Sequence, residues 1–198
     1  MENKSNNTLD MKTFPSDKLI PVWTSKNDWS ETVMTNVGTG VILYENKYAE
    51  ISTGNKVTLL VPQTEYWLDA SKPVSRQSEH VKKCLFDDFA LQVLFHGELE
   101  TLNRKLGAYT EKNHLSGEKF LELQKSEMEI FYNRRKKLLC DLDSVESLVA
   151  FIQSQLSDGG IDKASAYLSW CGICGVYAQE EQFDYLAYDL NSCSIRKS

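Results

Sequence analysis

The apolar pattern of the chain changes near Pro73, and this change constrains the fold more than any other feature of the sequence. Before Pro73, β-branched and aromatic residues gather in short runs bounded by glycine, asparagine or proline, which is typical of β-strands. After it, apolar residues recur every three or four positions, which is typical of amphipathic helices. Strands followed by helices favour an α+β fold over alternating strand–helix–strand units.

Three runs in the N-terminal half predict a small antiparallel β-meander of about three strands. The runs are residues 39–44, 48–53 and 57–61. Residues 19–24 predict an additional edge strand, because Pro21 lacks the amide hydrogen that a strand with two neighbours needs. A sheet this small is not stable alone, and we therefore expect helices to cover its apolar face.

The C-terminal two-thirds of the chain predicts a bundle of about four helices. Their apolar stripes lie at residues 81–106, 116–142, 145–156 and 162–171. Ser116, Asp143 and Asp162 are the expected N-terminal caps, because their side chains can accept a hydrogen bond from a free amide at the helix start. Gly107 is expected to end the first helix. A second apolar face of that helix, formed by Phe86, Phe89 and Val93, predicts that its first half is deeply buried.

The domain organisation follows from these segments. Residues 1–18 contain few apolar groups and predict a flexible tail. Residues 19–198 predict a single α+β domain, with a β-rich part at 19–72 and a helical part at 79–198. A chain of 198 residues has the size of one such domain.

Charge and cysteine content narrow the class of function. Twenty-eight acidic and 22 basic residues give a net charge of −6. This disfavours direct contact with nucleic acid or an anionic membrane, since both attract cationic surfaces. No apolar run approaches the ~20 residues of a membrane-spanning helix, and the polar N-terminus lacks a signal core. Five cysteines, an odd number, fit reduced thiols better than disulfides. We therefore expect an acidic protein of the cytoplasm.

The segment from Trp170 to Cys174 resembles the Trp-Cys-Gly-x-Cys signature of thioredoxin-like oxidoreductases. The resemblance implies a reactive thiol at a helix N-terminus. That family follows the motif with further strands and a proline-bearing loop, whereas the 24 residues after Cys174 contain no proline. The predicted helix also places Cys171 in its middle. We therefore interpret Cys171 and Cys174 as small packing residues.

Other chemistries find little support in the sequence. Cys-x-x-Cys supplies half of a zinc site, but no second pair of cysteine or histidine residues has ligand spacing. His80 and Cys84 lie four residues apart, which can pair an imidazole with a thiol on one helix face. Cys84 also belongs to the apolar stripe, so we interpret it as structural. The sequence thus predicts no catalytic residue, metal or cofactor, with a small cysteine-dependent enzyme as an alternative.

The function that the sequence favours is a non-enzymatic protein-interaction module, such as a regulator, adaptor or inhibitor of another protein. Its first candidate contacts are Tyr66, Trp67 and Leu68. They lie between Pro62 and Pro73, where no strand or helix period demands apolar residues. Aromatic side chains in such places are frequent interface anchors.

Two further candidate contacts are Arg134 and Arg135, in a segment from Arg104 to Lys137 with nine basic and five acidic residues. From Leu138 to Ile195 the balance reverses to nine acidic residues and one basic residue. This reversal supports another alternative, an acidic decoy or inhibitor of a nucleic-acid-binding protein or nuclease. The sequence makes no prediction of the oligomeric state.

Overall fold

The computed structural model describes residues 18–25, 32–45, 56–156, 159–178 and 183–196. Within these segments the chain is a mixture of strands and helices, so the predicted α+β class is confirmed. The strands are β1 (Leu19–Ser25), β2 (Val33–Thr35), β3 (Gly38–Glu45), β4 (Lys56–Pro62), β5 (Leu68–Asp69), β6 (Gly175–Tyr177), β7 (Tyr185–Ala187) and β8 (Ile195–Arg196). The helices are α1 (Glu79–Leu85), α2 (Asp88–Leu94), α3 (His96–Lys112), α4 (Gly117–Cys140), α5 (Val145–Gln155), α6 (Ile161–Trp170) and α7 (Leu190–Cys193).

The predictions of about three strands and about four helices were too low. One sheet runs in the order β5-β6-β7-β3-β1-β4-β8, and β2 pairs with β3 beside this path. Strands β5, β6 and β8 have only two or three residues each, which is too short for an alternating pattern to reveal them. In β7, the alternation of Tyr185 and Ala187 is equally compatible with a strand and with a frayed helix. The predicted strand at residues 48–53 and residues 1–17 of the predicted tail lie outside the described residues.

Strand β1 is not an edge strand, so that prediction was wrong. It pairs antiparallel with β4 along its whole length and with β3 at Val22 and Trp23. The pairing with β3 therefore starts after Pro21, and this explains how a proline is tolerated in a strand with two neighbours.

The predicted helix at residues 81–106 is divided into α1, α2 and α3. Asp87 causes the first break, because its carboxylate accepts hydrogen bonds from the amides of Phe89 (3.0 Å) and Ala90 (3.3 Å) and so begins α2. Phe95 separates α2 from α3. The breaks turn the chain, so that buried side chains of each short helix can face the same core.

The predicted N-terminal caps of α5 and α6 were wrong, by one residue and by two residues respectively. Ser144, rather than Asp143, begins α5, and its hydroxyl accepts from the amide of Ser147 at 3.1 Å while the Ser147 hydroxyl accepts from the Ser144 amide. Gly160 precedes α6, and Asp162 lies inside its first turn. A carboxylate there still favours the helix dipole, which explains the similar sequence signal.

Helix α4 begins as predicted, because the Ser116 hydroxyl accepts from the amide of Lys119 at 3.4 Å. Gly107 does not end α3, however, since this helix continues to Lys112. A side chain added at Gly107 would meet no atom within 4 Å. Nothing in its surroundings therefore forces the helix to stop there.

The sheet is buried on both faces at β7, although Pro21 in β1 and Thr58 in β4 are exposed. Tyr185 and Ala187 of β7 belong to one apolar cluster, and Leu186 belongs to the other. Alternate residues of a strand point to opposite faces, so the two clusters cover opposite sides of β7. The larger cluster is formed with helices α1, α2, α4, α5 and α6. The smaller one contains strand residues together with Trp67, Cys174 and Cys193.

Gly40 and Gly107 provide a matched test of this packing. A Cβ atom at Gly40 would overlap the carbonyl oxygen of Ala187 on the neighbouring strand, whereas Gly107 has open space. We expect Gly40→Ala to lower the free energy of unfolding by about 2–3 kcal/mol. Gly107→Ala should raise it by about 0.5–1 kcal/mol, because alanine favours helix. Urea unfolding of both variants measures this, and a neutral Gly40→Ala would contradict the close approach of β3 and β7.

Candidate functional site

The structure brings His80 and Cys84 together on α1, as their spacing predicts. The His80 Nε2 atom lies 3.4 Å from the Cys84 Sγ atom and 3.2 Å from the carbonyl oxygen of Gly172. The His80 ring also packs on the ring of Tyr66, with centroids 4.3 Å apart. Because a carbonyl only accepts hydrogen bonds, Nε2 carries the hydrogen in this contact and cannot act as a base towards the thiol.

Burial keeps this pair uncharged. Cys84 is 8% exposed, and burial raises the pKa of its thiol to about 11. Burial also lowers the pKa of His80, which disfavours the imidazolium that would stabilise a thiolate. A catalytic cysteine needs the opposite environment, because the thiolate is the nucleophile. Both the hydrogen-bond geometry and the uncharged state of the two side chains therefore indicate that His80 and Cys84 pack together and do not form a catalytic pair.

Cys171 lies at the C-terminal end of α6, and the prediction that it sits mid-helix was wrong. The helix dipole at this end is negative and disfavours a thiolate, whereas redox-active cysteines lie at helix N-termini. Burial raises the pKa of Cys171 to about 12 and that of Cys174 well above its usual range. Both thiols are 2% exposed. Within the described segments, no three histidine, cysteine or acidic side chains are grouped so that they could hold a metal ion.

Tyr66, Trp67 and Leu68 lie at the boundary between sheet and helices. Trp67 is 1% exposed, its Nε1–H donates to the carbonyl of Pro62 at 3.0 Å, and its ring meets the ring of Tyr185 with centroids 4.9 Å apart. Leu68 is fully buried in β5. Of the three, only Tyr66 keeps a partly exposed side chain. A partner-binding role for this segment stays a prediction, and Tyr66 is the residue that can take it.

Arg134 and Arg135 occupy different environments on α4. Arg135 forms an ion pair with Glu98, and its guanidinium lies 5.2 Å from the ring centroids of both Phe95 and Phe131. These contacts tie α4 to the start of α3 and leave Arg135 only partly exposed. Arg134 is exposed, and it has no ion pair within the part of the chain that the structure describes. Partner binding at these two arginines also stays a prediction.

Sequence analysis missed an exposed apolar surface on α2. Phe89 is 61% exposed and Val93, one turn later, is 41% exposed, so the prediction of deep burial was wrong for these two residues. The Phe89 ring packs beside Trp170 at the end of α6, with centroids 5.6 Å apart. We call Phe89, Val93 and Trp170 the α2 patch. Asp87 is the residue of the sequence that bears on this exposure, because a new helix start there changes which residues face the core, but an aspartate alone does not distinguish a new start from a continuous helix.

Helix α2, which carries Phe89 and Val93 of the α2 patch, is bonded to α4 and to α6. Lys136 of α4 forms an ion pair of 2.8 Å with Asp88, directly before Phe89. The Gln92 side-chain amide donates to the Tyr132 hydroxyl at 2.7 Å. On the side of α6, the Tyr167 hydroxyl donates to the backbone carbonyl of Ala90 at 2.9 Å. The exposed apolar side chains therefore belong to a fixed surface rather than to a loose helix.

Comparison of the chain with protein-family models, with curated proteins and with solved structures found no match in any of the three. The function is therefore argued from the residues and their geometry.

Substitution of Trp67 tests whether this residue fills the core or contacts a partner. We expect Trp67→Ala to lower the free energy of unfolding by about 3–5 kcal/mol, because it empties a fully buried site. Trp67→Phe is the matched variant, since it keeps one ring beside Tyr185 and loses the hydrogen bond to Pro62 together with the rest of the indole volume. It should lower the free energy of unfolding by less than Trp67→Ala does, by about 2–3 kcal/mol. Urea unfolding measures both, and a nearly neutral Trp67→Ala would favour the partner-contact role instead.

Alkylation tests the inert character of the thiols. Of the five cysteines, Cys140 is half-buried and the other four are buried. At pH 7.5 we expect iodoacetamide to modify Cys140 first, and the others only when the chain is unfolded in urea. Mass spectrometry of digested protein measures the order, with Cys140→Ser as the control that removes the fast phase. Fast modification of Cys84 in the folded protein would support the alternative of a cysteine-dependent enzyme.

Proposed function

We propose that this chain is a non-enzymatic protein-interaction module, a regulator, adaptor or inhibitor, and that it binds its partner protein through the α2 patch. The observation that carries the proposal is the exposure of Phe89, at 61%, beside Trp170 and one turn before Val93. Apolar groups that lie together on a surface gain free energy when a partner covers them. Phenylalanine and tryptophan supply large contact areas at interfaces.

The rigid support of the patch favours this role. Ordering a flexible surface costs free energy on binding, and a surface that is already fixed avoids most of that cost. The ion pair of Asp88 with Lys136 and the hydrogen bond of Tyr167 to Ala90 hold α2 on two sides. Arg134 and Tyr66 remain secondary candidates outside the patch.

The two alternatives gain less support from the geometry. For a cysteine-dependent enzyme, the pairing of His80 with Cys84 lacks a base and an activated thiol. For an acidic decoy, at least two of the nine carboxylates after Leu138 serve the fold. Asp184 is buried and accepts from the amide of Glu45 at 2.9 Å, and Asp189 caps α7. A mimic of nucleic acid needs its carboxylates on one solvent-facing surface.

The setting that we propose for this interaction is the cytoplasm, because all five cysteines are free thiols. Among the described residues, no helix combines the length and apolar character that crossing a membrane requires. We expect a protein partner rather than nucleic acid, given the net charge of −6.

The experiment compares two double variants in affinity capture from a lysate of the native source. Phe89→Ala with Val93→Ala removes most of the patch, and Tyr109→Ala with Leu121→Ala is the control, since these side chains are exposed elsewhere. We expect a partner that the wild type and the control retain and that the patch variant loses. With purified partner, the patch variant should raise Kd by about 30-fold or more, which corresponds to ~2 kcal/mol.

Thermal unfolding accompanies this comparison. Both double variants should keep the melting temperature within about 3 °C of the wild type, because they shorten exposed side chains. The proposal fails if every captured protein binds the patch variant and the wild type equally well.

A further inference from the structure

The far part of the α3–α4 hairpin, residues 103–127, lies beyond the two apolar clusters. The structure describes this whole segment, and Leu106 is the only buried residue in it. None of its apolar side chains belongs to either cluster or packs against one. Two helices that pack on each other cover only one side of each. The other sides of this part of the hairpin are therefore open to a partner.

One side of α4 faces away from α3. It carries residues that recur every three or four positions, namely Leu123, Glu127, Ile130, Arg134 and Lys137. We call these residues the α4 stripe. Successive residues of a helix are turned by about 100°, so Gln124 and Arg135 lie about 120–140° around α4 from Ile130. These two residues contact Asn103 and Glu98 of α3. The stripe therefore lies on a different side of α4 from the contact with α3.

The α4 stripe carries its acidic and basic residues on opposite sides of Ile130, which is 39% exposed. Glu127 lies three residues before Ile130, and Arg134 and Lys137 lie four and seven residues after it. None of these three charged side chains forms an ion pair with another residue that the structure describes. Such a stripe attracts a second copy that runs in the opposite direction, whereas a parallel copy would set like charges against each other.

We propose that a second copy of this chain binds to the α4 stripe in the antiparallel direction, with the two-fold axis at Ile130. The isoleucines of the two copies then cover each other, and Glu127 of each copy lies opposite Arg134 of the other. Leu123 and Lys137 are both seven residues from the axis, so the aliphatic stem of the lysine covers the leucine of the other copy. Each copy thus gives the same surface that it receives, as a two-fold interface requires.

This dimer leaves the α2 patch uncovered. Tyr132 and Lys136, which bond to α2, lie about 160° and 120° around α4 from Ile130. The dimer and the proposed partner contact are therefore independent of each other. A contact along about 20 Å of one helix is smaller than the interface of a stable dimer. We therefore expect a weak dimer, with a Kd of about 10–100 µM.

Sedimentation equilibrium over about 2–400 µM protein, a range that spans this Kd, tests the dimer. We expect the average mass of the wild type to rise with concentration from that of a monomer towards that of a dimer. Ile130→Glu places two carboxylates at the axis and should raise Kd by about 10-fold or more. Leu121→Glu adds the same charge about 180° around α4 from Ile130, at a side chain that is 63% exposed. This matched control should keep Kd within about 2-fold of the wild type.

Charge exchange tests the antiparallel direction. Glu127→Arg and Arg134→Glu should each raise Kd by about 5-fold or more, because each sets like charges opposite each other twice in the dimer. The double variant that carries both changes restores opposite charges. It should return Kd to within about 2-fold of the wild type.

Circular dichroism and thermal unfolding verify that each variant is folded. If Ile130→Glu does not fold, the charge variants still test the proposal. A wild type that stays monomeric over the whole concentration range would overturn it. So would a Leu121→Glu variant that dissociates as readily as Ile130→Glu, or a charge-exchanged double variant that does not regain the wild-type Kd.

Discussion

The pairing of β7 with β3 is the contact on which the rest of the structure depends. Residues Tyr185 to Ala187 lie opposite Val41 to Leu43, and β6 pairs with the other edge of β7. This strand joins the β1–β3–β4 part of the sheet to β5 and β6, which lead into the helical region. It also separates the two apolar clusters, with Leu186 on one side and Tyr185 on the other. Without β7, the sheet would divide in two, the larger apolar cluster would lose Leu186, and the smaller cluster would lose Tyr185 and Ala187.

Much of the fold could be predicted where elements are long. Helix α4 spans 24 residues and β4 spans seven, so apolar periodicity locates both. The sequence could not reveal β5 or β8, since a strand of two residues carries no period. The break at Asp87 was also missed, because an aspartate within an apolar stripe is equally compatible with a continuous helix. Its role depends on the main chain turning there, which tertiary packing decides.

At the candidate site, residue spacing predicts which side chains meet, but it does not predict their burial or protonation. An i, i+4 spacing brings His80 and Cys84 into contact, but their protonation depends on burial, which spacing does not determine. Trp67 illustrates the same limit, because a bracket of two prolines does not say whether a tryptophan faces solvent or core. The exposure of Phe89 was missed for a related reason. Apolar character alone predicts burial, although surfaces that bind partners are apolar too.

The long sequence separation across the sheet has a consequence for biosynthesis. Tyr185 donates a hydrogen bond to Glu45, a partner 140 residues earlier in the chain. At about 5–20 residues per second, a ribosome takes roughly 7–30 s to cover that distance. During this time β3 has emerged and its partner strand does not yet exist. An unpaired strand edge invites association with other chains. Nascent chains stalled within the helical region should therefore depend on chaperones, whereas completed chains bury this edge themselves.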